Sequence, residues 1–83
     1  MVDTVQVESA LLNLLSDVCE DEVVRTQRDT DLFEAGLLDS MAAIEVLVGI
    51  EEEFGVVIAP TAVPREEMNT VNKIIAQVEM RLL

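Results

Sequence analysis

The chain has 83 residues, 51% of them hydrophobic, which is enough for one small domain with one core. Seventeen acidic residues against five basic ones give a net charge of −12, which repels nucleic acid and anionic membranes and favours a basic protein partner. The sequence has no histidine, so the most common general base and metal ligand is missing. We therefore expect one domain over residues 1–83, with no nucleic-acid partner, no membrane insertion and no metal site.

The cysteine content and the N-terminal sequence indicate the compartment. Cys19 is the only cysteine, so no disulfide can form within the chain, as expected in a reducing compartment. Residues 1–4 contain no basic region followed by an apolar run, and no apolar stretch approaches the roughly 18 residues of a spanning helix. We expect a cytoplasmic protein. The acids at positions 20–22 should raise the pKa of Cys19 and leave its thiol unreactive.

Three apolar patterns predict three main helices. The first covers residues 4–18, the second runs through residues 41–54, and the third extends from position 69 or 70 to about 83. Residues 64–68 begin with proline followed by acids, which is typical of a single helical turn. The predicted fold class is all-α, a small bundle of three main helices plus one short helix.

The stretch from residue 19 to residue 38 is long for a connection in a compact domain. It contains too many apolar side chains for a solvated linker, so we predict an ordered loop that docks on the core, with a turn at Gly36. Phe33 and Phe54 are predicted to be core residues, and Arg65 is predicted to bind a nearby acid or carbonyl.

The second helix carries two apolar faces about 120° apart. The face predicted to join the core consists of Ala43, Leu47, Ile50 and Phe54. The other face, bordered by Glu45 and Glu52, consists of Met41, Ile44 and Val48. This second face either packs on Leu37 or Leu38, or stays exposed as a docking surface whose acids steer basic partners. We favour docking.

Ser40 is the side chain with the most chemical interest because it lies at the start of the second helix. A serine at this position is most simply a helix cap. Alternatively, its hydroxyl is esterified by a phosphate group, which the free N–H groups and the helix dipole would stabilise. A hydrolytic nucleophile is the weakest interpretation, since no histidine is present to activate the serine.

A longer pattern surrounds this serine and consists of Asp31-Leu32-Phe33-Glu34-Ala35-Gly36-Leu37-Leu38-Asp39-Ser40-Met41, then Ile44-Glu45, then Glu51-Glu52-Glu53-Phe54. It resembles the phosphopantetheine-attachment region of acyl and peptidyl carrier proteins, and the resemblance extends along nearly the whole chain. Further positions make the chain most similar to the D-alanyl carriers of lipoteichoic acid D-alanylation, namely Arg65, Met68-Asn69-Thr70 and Asn72-Lys73-Ile74.

The resemblance implies a carrier that is not itself an enzyme. A 4′-phosphopantetheine arm would be attached to Ser40, with Asp39 positioning the serine and the metal ion during transfer from coenzyme A. The arm would hold D-alanine as a thioester. The implied partners are a phosphopantetheinyl transferase, a D-alanine-activating ligase and a membrane acyltransferase, and the carrier would act as a monomer. Two alternatives stay open: a free-standing carrier for another acyl or aminoacyl group, and an unmodified acidic interaction module.

Overall fold

The computed structural model describes residues 3–82 and forms a helical bundle. It contains the helices α1 (Thr4–Cys19), α2 (Ser40–Phe54) and α3 (Val71–Leu82) and two short 3₁₀ turns, Glu22–Arg25 and Arg65–Glu67. The all-α fold class is confirmed, and the predicted short helix is the second 3₁₀ turn. The predicted end of the third helix at Leu83 lies outside the described residues.

The core forms where α1 packs against both α2 and α3. Each helix buries one apolar stripe, which includes Val7, Leu11 and Leu15 in α1 and Val71, Ile74, Ile75 and Val78 in α3. The fully buried side chains are Leu11, Leu15, Val24, Leu32, Val46, Ile50, Val71, Ile74 and Val78. Two of these, Val24 and Leu32, belong to the predicted loop, so the loop docks on the core as expected.

The buried face of α2 differs from the predicted one. Val46 and Ile50 are buried, whereas Leu47 and Phe54 are only half-buried. Val46 and Ile50 are one helical turn apart and thus lie on one face, which joins the core cluster with the side chains of α1 and α3. Leu47 lines a cavity. The prediction that Leu47 is a full core residue is therefore wrong.

A glycine inside α2 permits the close approach of α1. A Cβ atom at Gly49 would lie 2.5 Å from Cδ1 of Leu14, well inside van der Waals contact. The Leu14 side chain therefore occupies the space over the Gly49 backbone. This close approach explains a glycine in a helix interior, where glycine costs about 1 kcal/mol relative to alanine.

The first 3₁₀ turn was not predicted from the apolar pattern. It is capped by Asp21, whose Oδ1 accepts a hydrogen bond from the Val23 amide at 2.9 Å. Arg25 then binds Glu22 and reaches back to α1, where it donates to the side chains of Asn13 and Ser16. Polar contacts stabilise this turn, so an apolar periodicity could not indicate it.

The turn before α2 is organised by Asp31. Its Oδ1 accepts hydrogen bonds from the amides of Phe33 and Glu34 at 3.0 and 3.1 Å, and its Oδ2 accepts one from the Asn69 side chain at 2.8 Å. The Leu32 amide donates to the Asn69 carbonyl at 2.7 Å. We call these contacts between Asp31, Leu32 and Asn69 the loop clamp, because they fasten the turn to the residues that precede α3.

The rest of the turn leads the chain directly to α2. The amides of Leu37 and Leu38 both donate to the Leu32 carbonyl, at 2.9 and 3.0 Å, and Gly36 has a φ of +76°, which favours glycine. Leu38 is buried and ends the turn one residue before Asp39. These bonds connect the start of α2 to Leu32, which the loop clamp fastens to Asn69.

Residues 56–58 follow α2 without regular secondary structure, with Val56 and Ile58 buried and Val57 exposed between them. This alternation is typical of an extended backbone lying against a core. The part of the chain that the structure describes contains no strand. Within it, no helix has the length and apolar character that crossing a membrane requires.

The loop clamp yields a stability prediction. Asp31→Ala removes an acceptor for two amides and leaves Asn69 without its carboxylate partner, so we expect a loss of about 1 to 3 kcal/mol in the free energy of unfolding. The control is Glu34→Ala, which removes the same charge from the same turn, and the exposed Glu34 side chain has no hydrogen bond within residues 3–82. It should change stability by less than about 0.5 kcal/mol. Urea unfolding measures both, and equal losses would contradict the assignment.

Candidate functional site

Ser40 is the first residue of α2, and its side chain is exposed. The cap of this helix is its neighbour: Oδ1 of Asp39 accepts a hydrogen bond from the Ala42 amide at 2.8 Å. The simplest interpretation of Ser40 alone, a capping serine, is therefore wrong. Since Asp39 takes that role, the Ser40 hydroxyl makes no hydrogen bond within residues 3–82 and is free for chemistry.

The backbone around Ser40 fits an anion. The amides of Ser40 and Met41 have no acceptor among the described residues, and the first turn of α2 contains no acidic side chain. Free N–H groups and the positive end of a helix dipole stabilise a nearby anion by about 0.3 to 1 kcal/mol. A phosphodiester on the Ser40 oxygen would thus meet two free amides and the positive end of the helix dipole, which act against the repulsion from the acidic surface.

The second apolar face of α2 is exposed. Met41 is 76% exposed, Ile44 49% and Val48 47%, while Leu38 is buried in the core. The alternative in which this face packs on Leu37 or Leu38 is therefore not what the structure forms. Three apolar side chains on one face of a helix that begins at Ser40 form a continuous surface beside that serine, which we call the α2 stripe.

Two acidic residues border the α2 stripe. Glu45 follows Met41 by one helical turn, and Glu52 follows Val48 by one turn, so each carboxylate lies next to an apolar side chain of the stripe. Both are exposed. A negative rim around an apolar surface fits a basic partner. That this surface docks partners stays a prediction.

A cavity of about 260 Å³ opens beside Ser40, and the sequence did not indicate it. It lies between the turn before α2, the exposed side of α2 and the segment before α3. Its lining is apolar apart from Ser40 and Arg65 and comprises Phe33, Leu38, Ser40, Ala43, Ile44, Val46, Leu47, Pro60, Val63, Arg65, Met68 and Ile74. Three separate segments form it, so no local pattern could reveal it.

Two residues at this cavity differ from their predicted roles. Phe33 is half-buried and lines the cavity instead of filling the core. The Arg65 guanidinium lies over the Phe33 ring, 4.2 Å from its centroid, and does not bind the acid or carbonyl that was predicted. Cation–π stacking explains the difference, since it holds an arginine against a ring and leaves its N–H groups free.

Cys19 is the other chemically capable side chain singled out from the sequence. Its thiol is half-buried at the end of α1, and burial raises its pKa, with a smaller contribution from the Asp21 carboxylate. The predicted direction is confirmed, although burial rather than the neighbouring acid is the larger cause. A protonated thiol is a poor nucleophile, so Cys19 carries no chemistry for the site.

The remaining acids do not assemble into a metal site within the described residues. Asp29 accepts a hydrogen bond from the side chain of Asn72, at the start of α3. Asp31 accepts one from the side chain of Asn69, in the segment before α3. Glu52 and Glu53 of α2 border a groove against α1 together with Asp17. These carboxylates therefore serve as structural acceptors or lie on the acidic surface.

Comparison with known proteins identifies the family of the chain. A family model described as a phosphopantetheine attachment site matches residues 9–78. The chain is 47% identical over 75 residues to a D-alanyl carrier protein of Abiotrophia defectiva, which covers 90% of this chain and 95% of that protein. It is 42% identical to a D-alanyl carrier protein of Bacillus velezensis, and the match covers 78% of this chain and 83% of that protein. It is 39% identical to a D-alanyl carrier protein of Bacillus subtilis, and the match covers 81% of this chain and 86% of that protein.

These matches confirm the family inferred from the residues around Ser40. The family carries 4′-phosphopantetheine covalently on a serine and works as a non-catalytic carrier. An exposed hydroxyl at a helix start that Asp39 caps, with two free amides beside it, suits that group. The chain therefore belongs to the phosphopantetheine-attachment family of carrier proteins.

Proposed function

We propose that residues 1–83 form one carrier domain that bears 4′-phosphopantetheine on Ser40 and holds D-alanine as a thioester for the D-alanylation of lipoteichoic acid. The observation that best supports Ser40 as the attachment residue is that Asp39 caps α2 and leaves the Ser40 hydroxyl exposed. The relatives named D-alanyl carrier protein, at 39 to 47% identity, support the cargo.

The residues of the chain itself hold and present the arm. The arm supplies a thiol that forms the thioester, and Ser40 attaches it to the rigid end of a helix. Asp39 binds the Ala42 amide through Oδ1, while its Oδ2 has no hydrogen bond within residues 3–82. This second oxygen is free to bind the metal ion that accompanies coenzyme A during transfer. The absence of histidine from the sequence suits a carrier, because a thioester has to survive until delivery.

Three partners follow from this role. A phosphopantetheinyl transferase attaches the arm, a ligase activates D-alanine and loads the thiol, and a membrane acyltransferase receives the aminoacyl group. The carrier acts as a cytoplasmic monomer, and its net charge of −12 favours basic docking surfaces on these partners. A carrier of another aminoacyl group or an unmodified acidic module remains the alternative, and the loading experiment below distinguishes them.

Loading of wild-type protein and of Ser40→Ala tests the proposal. After treatment with coenzyme A and a phosphopantetheinyl transferase, then with ATP, D-alanine and the ligase, the wild-type intact mass should rise by the arm and then by one alanyl group. Ser40→Ala should gain neither, yet keep its unfolding free energy within about 0.5 kcal/mol, since Asp39 provides the cap. Thioester formation on Ser40→Ala would refute the site. An unmodified wild-type chain would indicate the interaction module, and preferential loading of another amino acid would indicate a different cargo.

We further propose that the α2 stripe of Met41, Ile44 and Val48 docks these enzymes, with Glu45 and Glu52 on its rim. The stripe is exposed in the free carrier and lies on the helix that begins at Ser40, so an enzyme that covers it brings its active site close to the arm. Burial of exposed apolar area stabilises the complex, and the rim acids accelerate encounter with basic surfaces.

Two variants test the α2 stripe. Ile44→Ala removes a side chain that is already 49% exposed, so stability should change by less than about 1 kcal/mol while the ligase KM rises. Val5→Ala is the control, because Val5 is 74% exposed and belongs to a different helix, α1. Glu45→Lys should slow association with the ligase and the transferase at low salt, and added salt should narrow the difference from wild type. Unfolding of Ile44→Ala at ordinary temperature, with wild-type loading of Glu45→Lys, would place docking elsewhere.

A further inference from the structure

Arg65 differs from the other basic residues in having no polar partner. It is exposed, and its guanidinium makes no hydrogen bond or ion pair within residues 3–82, where its one specific contact is the Phe33 ring. The other cations all have acceptors: Arg25 binds Glu22, Arg28 binds Glu8, Lys73 binds the Glu66 carbonyl and Asn69, and Arg81 binds Gln77. In a chain of net charge −12, a guanidinium with free N–H groups is available to an anion.

Phe33 holds this guanidinium at the cavity beside Ser40. The ring belongs to the turn fixed by the loop clamp, and Phe33, Arg65 and Ser40 all line the same cavity. Arg65 opens the 3₁₀ turn directly after Pro64, whose φ is −61°, so its backbone lies in regular structure. Ser40 and Arg65 therefore line one concave surface whose remaining lining is apolar.

Attachment of the arm places an anion at this surface. A phosphodiester carries one negative charge at neutral pH, and the protein already carries −12, so the added charge meets repulsion from the exposed acids. Arginine binds phosphate through several N–H donors at once, and the apolar walls lower the local dielectric. A phosphate tethered to Ser40 also has a high effective concentration near Arg65, so a weak contact is enough to form.

We infer that Arg65, held by Phe33, binds the phosphodiester of the arm on Ser40 and offsets its charge. This inference rests on the proposed attachment at Ser40. The aminoacyl cargo is not the ligand, because the α-ammonium of an alanyl thioester has the same charge as Arg65 and is repelled. Arg65 is thus a positioning residue for the base of the arm and leaves the thioester end free for partner enzymes.

The test compares the melting temperatures of the apo form and the arm-bearing form in three proteins: wild type, Arg65→Gln and Arg81→Gln. Arg81→Gln is the matched control, since it removes the same charge from an exposed arginine in the last turn of α3. Loss of the Phe33 stacking lowers the melting temperature of the apo and the arm-bearing form alike, so it cancels when one melting temperature is subtracted from the other. At low salt, Arg65→Gln should lower this difference by about 2 to 6 °C relative to wild type, and Arg81→Gln should leave it unchanged.

Two further measurements make the assignment specific. Arg65→Lys should restore part of the melting-temperature difference between the arm-bearing and apo forms that Arg65→Gln loses. In 0.5 M salt, Arg65→Gln should change this difference less than at low salt, because screening weakens an exposed ion pair. The ³¹P chemical shift of the phosphodiester should differ between wild type and Arg65→Gln and stay constant in Arg81→Gln.

The outcomes separate this inference from the proposed function. Intact mass reports whether the arm is attached at all, and a chain that takes no arm refutes the attachment site. If the arm is attached but Arg65→Gln and Arg81→Gln give the same melting difference and the same ³¹P shift as wild type, the inference is wrong while the carrier function stands.

Discussion

The loop clamp is the contact on which the geometry of this carrier depends. Asp31 organises its own turn through the amides of Phe33 and Glu34, and it reaches 38 positions along the chain to Asn69. The Leu32 amide adds a backbone hydrogen bond to the same asparagine. Ordering a connection of about twenty residues costs conformational entropy, and contacts within the folded chain have to offset that cost. The loop clamp provides several of these contacts around Asp31. The turn that delivers Asp39 and Ser40 is therefore rigid.

Rigidity at this turn allows two adjacent polar residues to take separate roles. Asp39 is the last residue before the helix and caps it, so Ser40 enters the first turn with its hydroxyl in solvent. If α2 began one residue later, Ser40 would occupy the capping position, and its hydroxyl oxygen would accept a hydrogen bond from a backbone amide. The register that prevents this comes from Leu38, which is buried, and from the bonds of the Leu37 and Leu38 amides to Leu32.

Local patterns predicted the features that depend on local sequence. The helices, the short turn near position 65 and the carrier family were all recognisable because apolar spacing, caps and the motif around Ser40 are contiguous. The burial of Leu47 was overestimated because the predicted face was centred on Leu47 and Ile50, whereas packing in the core buries Val46, which belongs to neither predicted face, together with Ile50. Amphipathic periodicity defines a helix, but its partners decide which face is buried.

The contacts that were missed join distant parts of the chain. The cavity combines the turn before α2, one side of α2 and residues 60–74, and stacking of Arg65 on Phe33 spans two of these segments. The motif around Ser40 predicted attachment, but it did not indicate which cation would lie near the arm. The position of Arg65 relative to Ser40 depends on contacts between distant segments, and these contacts form only when the chain folds.

The rate of arm attachment tests most directly whether the loop clamp governs the site. We would measure kcat/KM of a phosphopantetheinyl transferase for Asp31→Ala and for Glu34→Ala, at a temperature where circular dichroism shows both proteins fully folded. The account predicts that Asp31→Ala is modified several-fold more slowly than wild type, since a loosened turn no longer presents Ser40 in one position, while Glu34→Ala is modified at the wild-type rate. Equal rates for the two folded variants would contradict it.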